Sequence, residues 1–351
     1  MKKHMCRLIL LTCLACVFLT VSGCENAKED SGAYEAALEA YEGGDYELAL
    51  SEFKNAAETD GRTVEAYRGM GLVYMAEEKY EYAVSMFDLS LSEMRHSNKE
   101  FEEDVLFYKA EALSKNLQTD KALEIYGELE DTDRAGTAYA LEGKIYLERG
   151  NTDTADEKFA LSAECEKSIA NSLLIYEAYR SVNLEGNGAE YLQTAVGIEP
   201  ETNEDYALLG MAYYYLGDLD NAMVCLSRAV SMGYTKAAEQ LGNIYFETGD
   251  IPGAKSMFND ILSSGENAAM AYNGLAMCSM EEGDYESALV YIDLGLKCED
   301  QKAEKSLLFN EVVIYEKMLD FNTAGEKARV YMEKYSSDET MKNELKFLQH
   351  S

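Results

Sequence analysis

Apolar residues in this chain stand three or four positions apart, and from Ser31 onward the whole pattern returns about every 34 residues. That spacing puts large side chains on one stripe of a helix, and no segment alternates with period two for long enough to be a strand. The repeating units begin at residues 30, 64, 103, 136, 169, 203, 235, 269 and 305. Each predicts two helices joined by a tight turn. The turn is marked independently by Gly44-Asp45, Gly150-Asn151, Gly217-Asp218, Gly249-Asp250 and Gly283-Asp284, which fall at one place in their units. Glycine takes the left-handed conformation that closes a helix, and Asp or Asn caps the next one.

The second unit shows the side-chain order most clearly. Tyr67, Met70, Gly71 and Tyr74 lie on its first helix, and Ala83, Phe87 and Ser90 on its second. The sixth has Tyr206, Leu209, Gly210 and Tyr213, then Ala222, Leu226 and Ala229. The twentieth position holds Ala49, Ala83, Ala122, Ala155, Gly188, Ala222, Ala254, Ala288 and Ala324, small enough for the two helices to approach closely. The eighth position is small in most units, as at Gly143, Gly242 and Ala276; Tyr176 and Val312 break the rule. Extra residues around Arg95-His96-Ser97 lengthen the step from the second unit to the third.

This order of large and small positions resembles the tetratricopeptide repeat (TPR) over nearly all of the chain beyond residue 31. The resemblance implies an all-α TPR solenoid over residues 32–336. It would be a right-handed superhelix of about nine helix-turn-helix repeats, with a concave wall built mainly from first helices. Asp338 can cap a last helix, with Met341, Leu345 and Leu348 on one face and Lys342 and Lys346 off it. Residues 337–351 are therefore expected to form the capping helix that open arrays need.

The first 23 residues read as a secretory signal. Lys2, Lys3 and Arg7 precede an apolar run from Leu8 to Thr20, too short for a comfortable membrane span. Val21-Ser22-Gly23-Cys24 then resembles the lipobox of bacterial lipoproteins. The resemblance implies cleavage before Cys24 and a diacylglyceryl thioether on its sulfur, two acyl chains sufficing for stable anchoring. Residues 24–31 would be the lipidated Cys and a short acidic linker. The expected location is the extracytoplasmic face of the cell membrane, with contact through the lipid alone.

Composition narrows the partners. The net charge is −34, and the signal itself contributes three positive charges and no acid. Such a chain is unsuited to nucleic acid and to lying flat on anionic lipid, but suits basic or neutral protein partners. The 351 residues include only 2 prolines, which favours helix.

Chemistry is sparse. None of the three histidines, His4, His96 and His350, has a partner at ligand or triad spacing, and there is no glycine-rich phosphate loop. Asp131, Asp133, Gly136 and Glu142 match parts of a calcium loop, but a repeat helix from Ala138 to Glu142 would draw Glu142 away. Beyond Cys24, the repeat register sets Cys165, Cys225, Cys278 and Cys298 too far apart to bridge, so they are expected to be small apolar filler. No catalytic residue, metal or cofactor is expected.

The expected function is a scaffold that binds protein or peptide partners. A narrower alternative is an accessory lipoprotein for assembling a cell-wall or secretion complex. A third class, the all-α carbohydrate-active enzymes, would need paired carboxylates, and this chain lacks Trp for sugar stacking. In the TPR family, positions 2, 5, 9, 12 and 13 face the concave side. In the sixth to eighth repeats these include Met211, Tyr214, Tyr215, Asn243, Phe246, Asn273, Met277 and Met280. Adaptable Met, flat aromatics and amides suit a peptide. The clamp by which some relatives hold a terminal carboxylate is missing, because Asn243 is preceded at the groove by Glu239 and not Lys.

Overall fold

In a computed structural model of the chain, residues 32–348 are described, apart from 96, 97, 266 and 299. The signal, Cys24, the linker and His96 lie outside the described residues, among which there are nineteen helices and no strand. The chain divides between Glu199 and Pro200 into two compact units. The first contains α1 (Ala33–Glu42), α2 (Tyr46–Thr59), α3 (Thr63–Ala76), α4 (Tyr80–Glu93), α5 (Lys99–Lys115), α6 (Thr119–Leu129), α7 (Ala135–Glu148), α8 (Thr152–Cys165), α9 (Ile169–Ser181) and α10 (Glu185–Val196). The second contains α11 (Asn203–Tyr215), α12 (Leu219–Ser231), α13 (Ala237–Glu247), α14 (Ile251–Ser264), α15 (Ala268–Glu281), α16 (Tyr285–Leu296), α17 (Gln301–Lys317), α18 (Phe321–Lys334) and α19 (Glu339–Leu348). Part of the insertion near residue 97 lengthens α5, which Asn98 caps by accepting from the Phe101 N–H.

One turn geometry serves all nine pairs. The five glycines named above have φ between 76° and 80°. Asp45, Asn151, Asp218, Asp250 and Asp284 then cap the following helices through their side chains. The other four pairs place Glu78, Leu117, Asn183 and Leu319 at the same position with φ of 58–61°. In every case the next N–H reaches back five residues, as in Asp45 to Ala40, Lys79 to Tyr74, Gln118 to Leu113 and Asp320 to Tyr315, at 2.8–2.9 Å. That bond closes the preceding helix whether or not the left-handed residue is glycine. A branched side chain there is strained, and Leu117 is 90% exposed, so it contributes little packing in return. Leu117→Gly should raise the unfolding free energy by up to about 1 kcal/mol, seen as a higher urea midpoint at unchanged slope.

The core is built on a ring set into a gap. Phe87 on α4 is fully buried beneath Gly71 of α3, where an added Cβ would lie 2.4 Å from the ring. Phe159 fills the same place under Gly143, Leu226 under Gly210 and Phe258 under Gly242. The next repeat closes over the same ring, Gly69 on Phe53 and Gly274 on Phe258. The two irregular repeats invert the rule. Tyr176 is large at the eighth position, and Gly188 at the twentieth leaves it room: a Cβ there would be 3.1 Å from the Tyr176 ring. Val312 is large too, and the ring position in its repeat holds buried Ala328.

Two charged clusters tie helices together in the N-terminal unit. Asp104 on α5 receives Arg134 at 2.6 Å, and Arg68 of α3 lies 3.8 Å away. Both guanidiniums lie over rings, Arg68 on Phe101 and Arg134 on Phe107. Burial holds the Asp104 carboxyl above its usual range, so the two arginines only partly offset desolvation. On α8, Lys158 bridges Glu130 at 2.7 Å and Glu142 at 2.5 Å. Glu142 therefore serves an ion pair between repeat helices.

The four cysteines are unpaired. Cys225 and Cys278 are buried filler as expected, and burial pushes the Cys278 thiol up to about 11. Cys165 and Cys298 correct the expectation, since both are exposed. Both sit at the thirtieth position of their repeats, at or just past the end of the second helix. In α19, Met341 and Leu348 are buried against a cluster that contains Val312 and Tyr331.

Candidate functional site

The residues expected to bind a partner all lie in the C-terminal unit, on α11, α13 and α15. Each of these helices buries one stripe, such as Leu241 and Ile244 on α13 or Leu275 and Cys278 on α15. The side chains at issue lie off that stripe. Asn243 is exposed, while Met211, Tyr214, Tyr215, Phe246, Asn273, Met277 and Met280 are half-buried. Tyr214, Phe246 and Met280 rest on three successive core clusters, so their positions are fixed from beneath.

Hydrogen bonding divides the group. The Tyr214 hydroxyl donates to Glu247 of the next repeat, 3.0 Å from Oε1. The Asn273 carbonyl accepts from Asn310 of α17 at 2.8 Å, and its amide nitrogen lies 4.0 Å from the Met277 sulfur. Asn273 thus links neighbouring repeats, and its acceptor is already engaged. Asn243 makes no side-chain hydrogen bond among the described residues.

Two acids on the same first helices complete the site: Glu239, already placed at the groove by register, and Glu204, which apolar patterning had passed over. Glu204 at the second position of its repeat and Glu239 at the fifth are half-buried. Burial, reinforced by Asp205 and opposed by Lys236, pushes the Glu204 carboxyl up to about 7. Burial alone raises Glu239. The signal that could have found Glu204 is its register, since the second position belongs to the face in question. The described residues contain no group of three or more metal-ligating side chains.

Such an arrangement can hold an extended segment by contact and hydrogen bonding, with no nucleophile or acid–base pair assembled. A sequence model described as tetratricopeptide repeat matches residues 34–95 and 239–298, and a second with the same description matches 206–232. The matched stretches are similar to tetratricopeptide repeats, and the fold is that of a TPR solenoid. The TPR register read from side-chain size is also the register of the helices and turns. Among curated proteins, the "BBSome complex member BBS4 homolog" of Drosophila melanogaster is 21% identical over 240 residues, 68% of this chain. The match spans 44% of that protein's length. Among solved structures, PilW, described as a widely conserved type IV pilus biogenesis factor, is 16% identical with a TM-score of 0.49 over 60% of this chain and 99% of that one. Yeast Tom70 is 11% identical with a TM-score of 0.47, covering 86% of this chain and 84% of its own.

Proposed function

We propose that this protein is a lipid-anchored, extracytoplasmic TPR scaffold that seats a basic or neutral protein segment on the first helices of its C-terminal unit. The observation that carries the reading is the α11–α13–α15 face. Tyr214, Phe246 and Met280 are half-exposed yet held by the core beneath them, and the Asn243 amide is left open. A fixed apolar platform beside a free donor and acceptor suits an extended peptide, which brings its own unpaired backbone groups. Changing Asn243 and Phe246 to Ala together should cut partner capture from solubilised membranes at least tenfold, with helicity and melting near wild type. Unchanged capture would remove this face from the function.

The anchor rests on the Val21-Ser22-Gly23-Cys24 pattern. Cys24→Ala should block lipid attachment and move the protein from the membrane to soluble or unprocessed fractions. Normal processing with full membrane retention would show that Cys24 is not the attachment point.

A further inference from the structure

We infer that Glu239 on α13 and Glu204 on the preceding first helix, α11, are seats for Lys or Arg side chains of the bound segment. The inference rests on the TPR-scaffold reading of this face and narrows its partner to a cationic one. Several other acids of the C-terminal unit have their own lysines: Glu311 takes Lys327 at 2.6 Å, Asp338 takes Lys305 at 3.0 Å, and Glu282 and Glu304 pair with Lys255 and Lys334. Glu239 is set into a half-buried site and makes no hydrogen bond or ion pair among the described residues. Lys236 stands three residues before it, at the N-terminal cap of α13, yet makes no ion pair with either acid. A desolvated carboxylate without a partner is costly, and a charge-assisted bond from an incoming cation removes that cost.

The neighbours fit the same occupant. Asn243 lies one turn along α13 from Glu239, about 6 Å at the helical rise, close to the span of two residues in an extended strand. A segment whose backbone meets Asn243 can therefore place a basic side chain two residues away at Glu239. Met211 and Phe246, half-buried on the same two first helices, offer apolar contact to the rest of the segment. A chain with 65 acidic and 31 basic residues adds a long-range field of the right sign.

The test uses the mature-length protein and three fluorescein-labelled ten-residue peptides alternating Ser with Lys, Gln or Glu, read by anisotropy at physiological salt. The Lys peptide should bind at least about tenfold more tightly than the Gln peptide, and the Glu peptide should not bind. The double variant Glu204→Gln, Glu239→Gln keeps side-chain shape and should lose about tenfold for the Lys peptide alone. The control Glu286→Gln, Glu326→Gln removes the same charge from exposed second-helix sites and should change nothing. Equal losses in the two variants would mean a diffuse acidic field and overturn the seat. If the Lys and Gln peptides bind alike, and Asn243→Ala with Phe246→Ala abolishes both, the binding face stands and the cation seat falls. If no peptide binds, both fall.

Discussion

Asp104→Ala should destabilise the N-terminal unit by about 3–5 kcal/mol, enough to bring a marginal array close to unfolding at 37 °C. Asp104 is the shared carboxylate of Arg134 and Arg68, which belong to different repeats. The Arg68 side chain is only 3% exposed and the Arg134 side chain 12%. Guanidinium does not lose its proton, so removal of Asp104 leaves two poorly hydrated cations with ring faces to lie on and, for Arg68, the Tyr34 hydroxyl, but no counter-charge from Asp104. Asp104→Asn keeps an acceptor and should cost less than half as much. Urea unfolding followed by circular dichroism would check both, and an Ala variant within 1 kcal/mol of wild type would refute the account.

An effect of similar size is expected at the ring set beneath Gly71. The Phe87 ring is closed on one side by the Gly71 backbone and stacked on the other against Tyr108, 5.9 Å between centroids. It cannot move aside for a new side chain. Gly71→Val should cost about 3 kcal/mol or more by overpacking, and Phe87→Ala about 3–5 kcal/mol by cavity formation. The ninth repeat shows how the two changes offset each other, with Val312 at the eighth position and Ala328 where the ring would be. The double variant Gly71→Val, Phe87→Ala should therefore be more stable than Phe87→Ala alone, with a favourable coupling of at least about 1 kcal/mol. Simple additivity of the two losses would show that the pair is not exchanged as a unit.

The fold was legible because its determinants are local and periodic. Five Gly-Asp or Gly-Asn steps and nine small twentieth positions are each read within one unit. What escaped was conditional. The turns at Glu78, Leu117, Asn183 and Leu319 follow from a backbone bond, which has no residue signature. Tyr176 and Val312 looked irregular because each was judged alone, while Gly188 and Ala328 are the halves that make room for them. The thiols at Cys165 and Cys298 were misjudged because burial at a helix end depends on how far its partner extends. At the site, register placed the side chains on the correct helices. It could not show that Asn273 is held by Asn310, 37 residues away, or that Glu239 has no partner.

The turns also bear on how such a chain changes over generations. Every helix pair closes through a bond from its own sixteenth residue to its own eleventh, with nothing borrowed from another pair. Excision or duplication of one whole repeat leaves every surviving turn intact, whereas a change in length between the eleventh and sixteenth positions breaks one. The gene can therefore lengthen or shorten its product by whole repeats, and length changes within a repeat should fall outside those six positions, as the extra residues before α5 do.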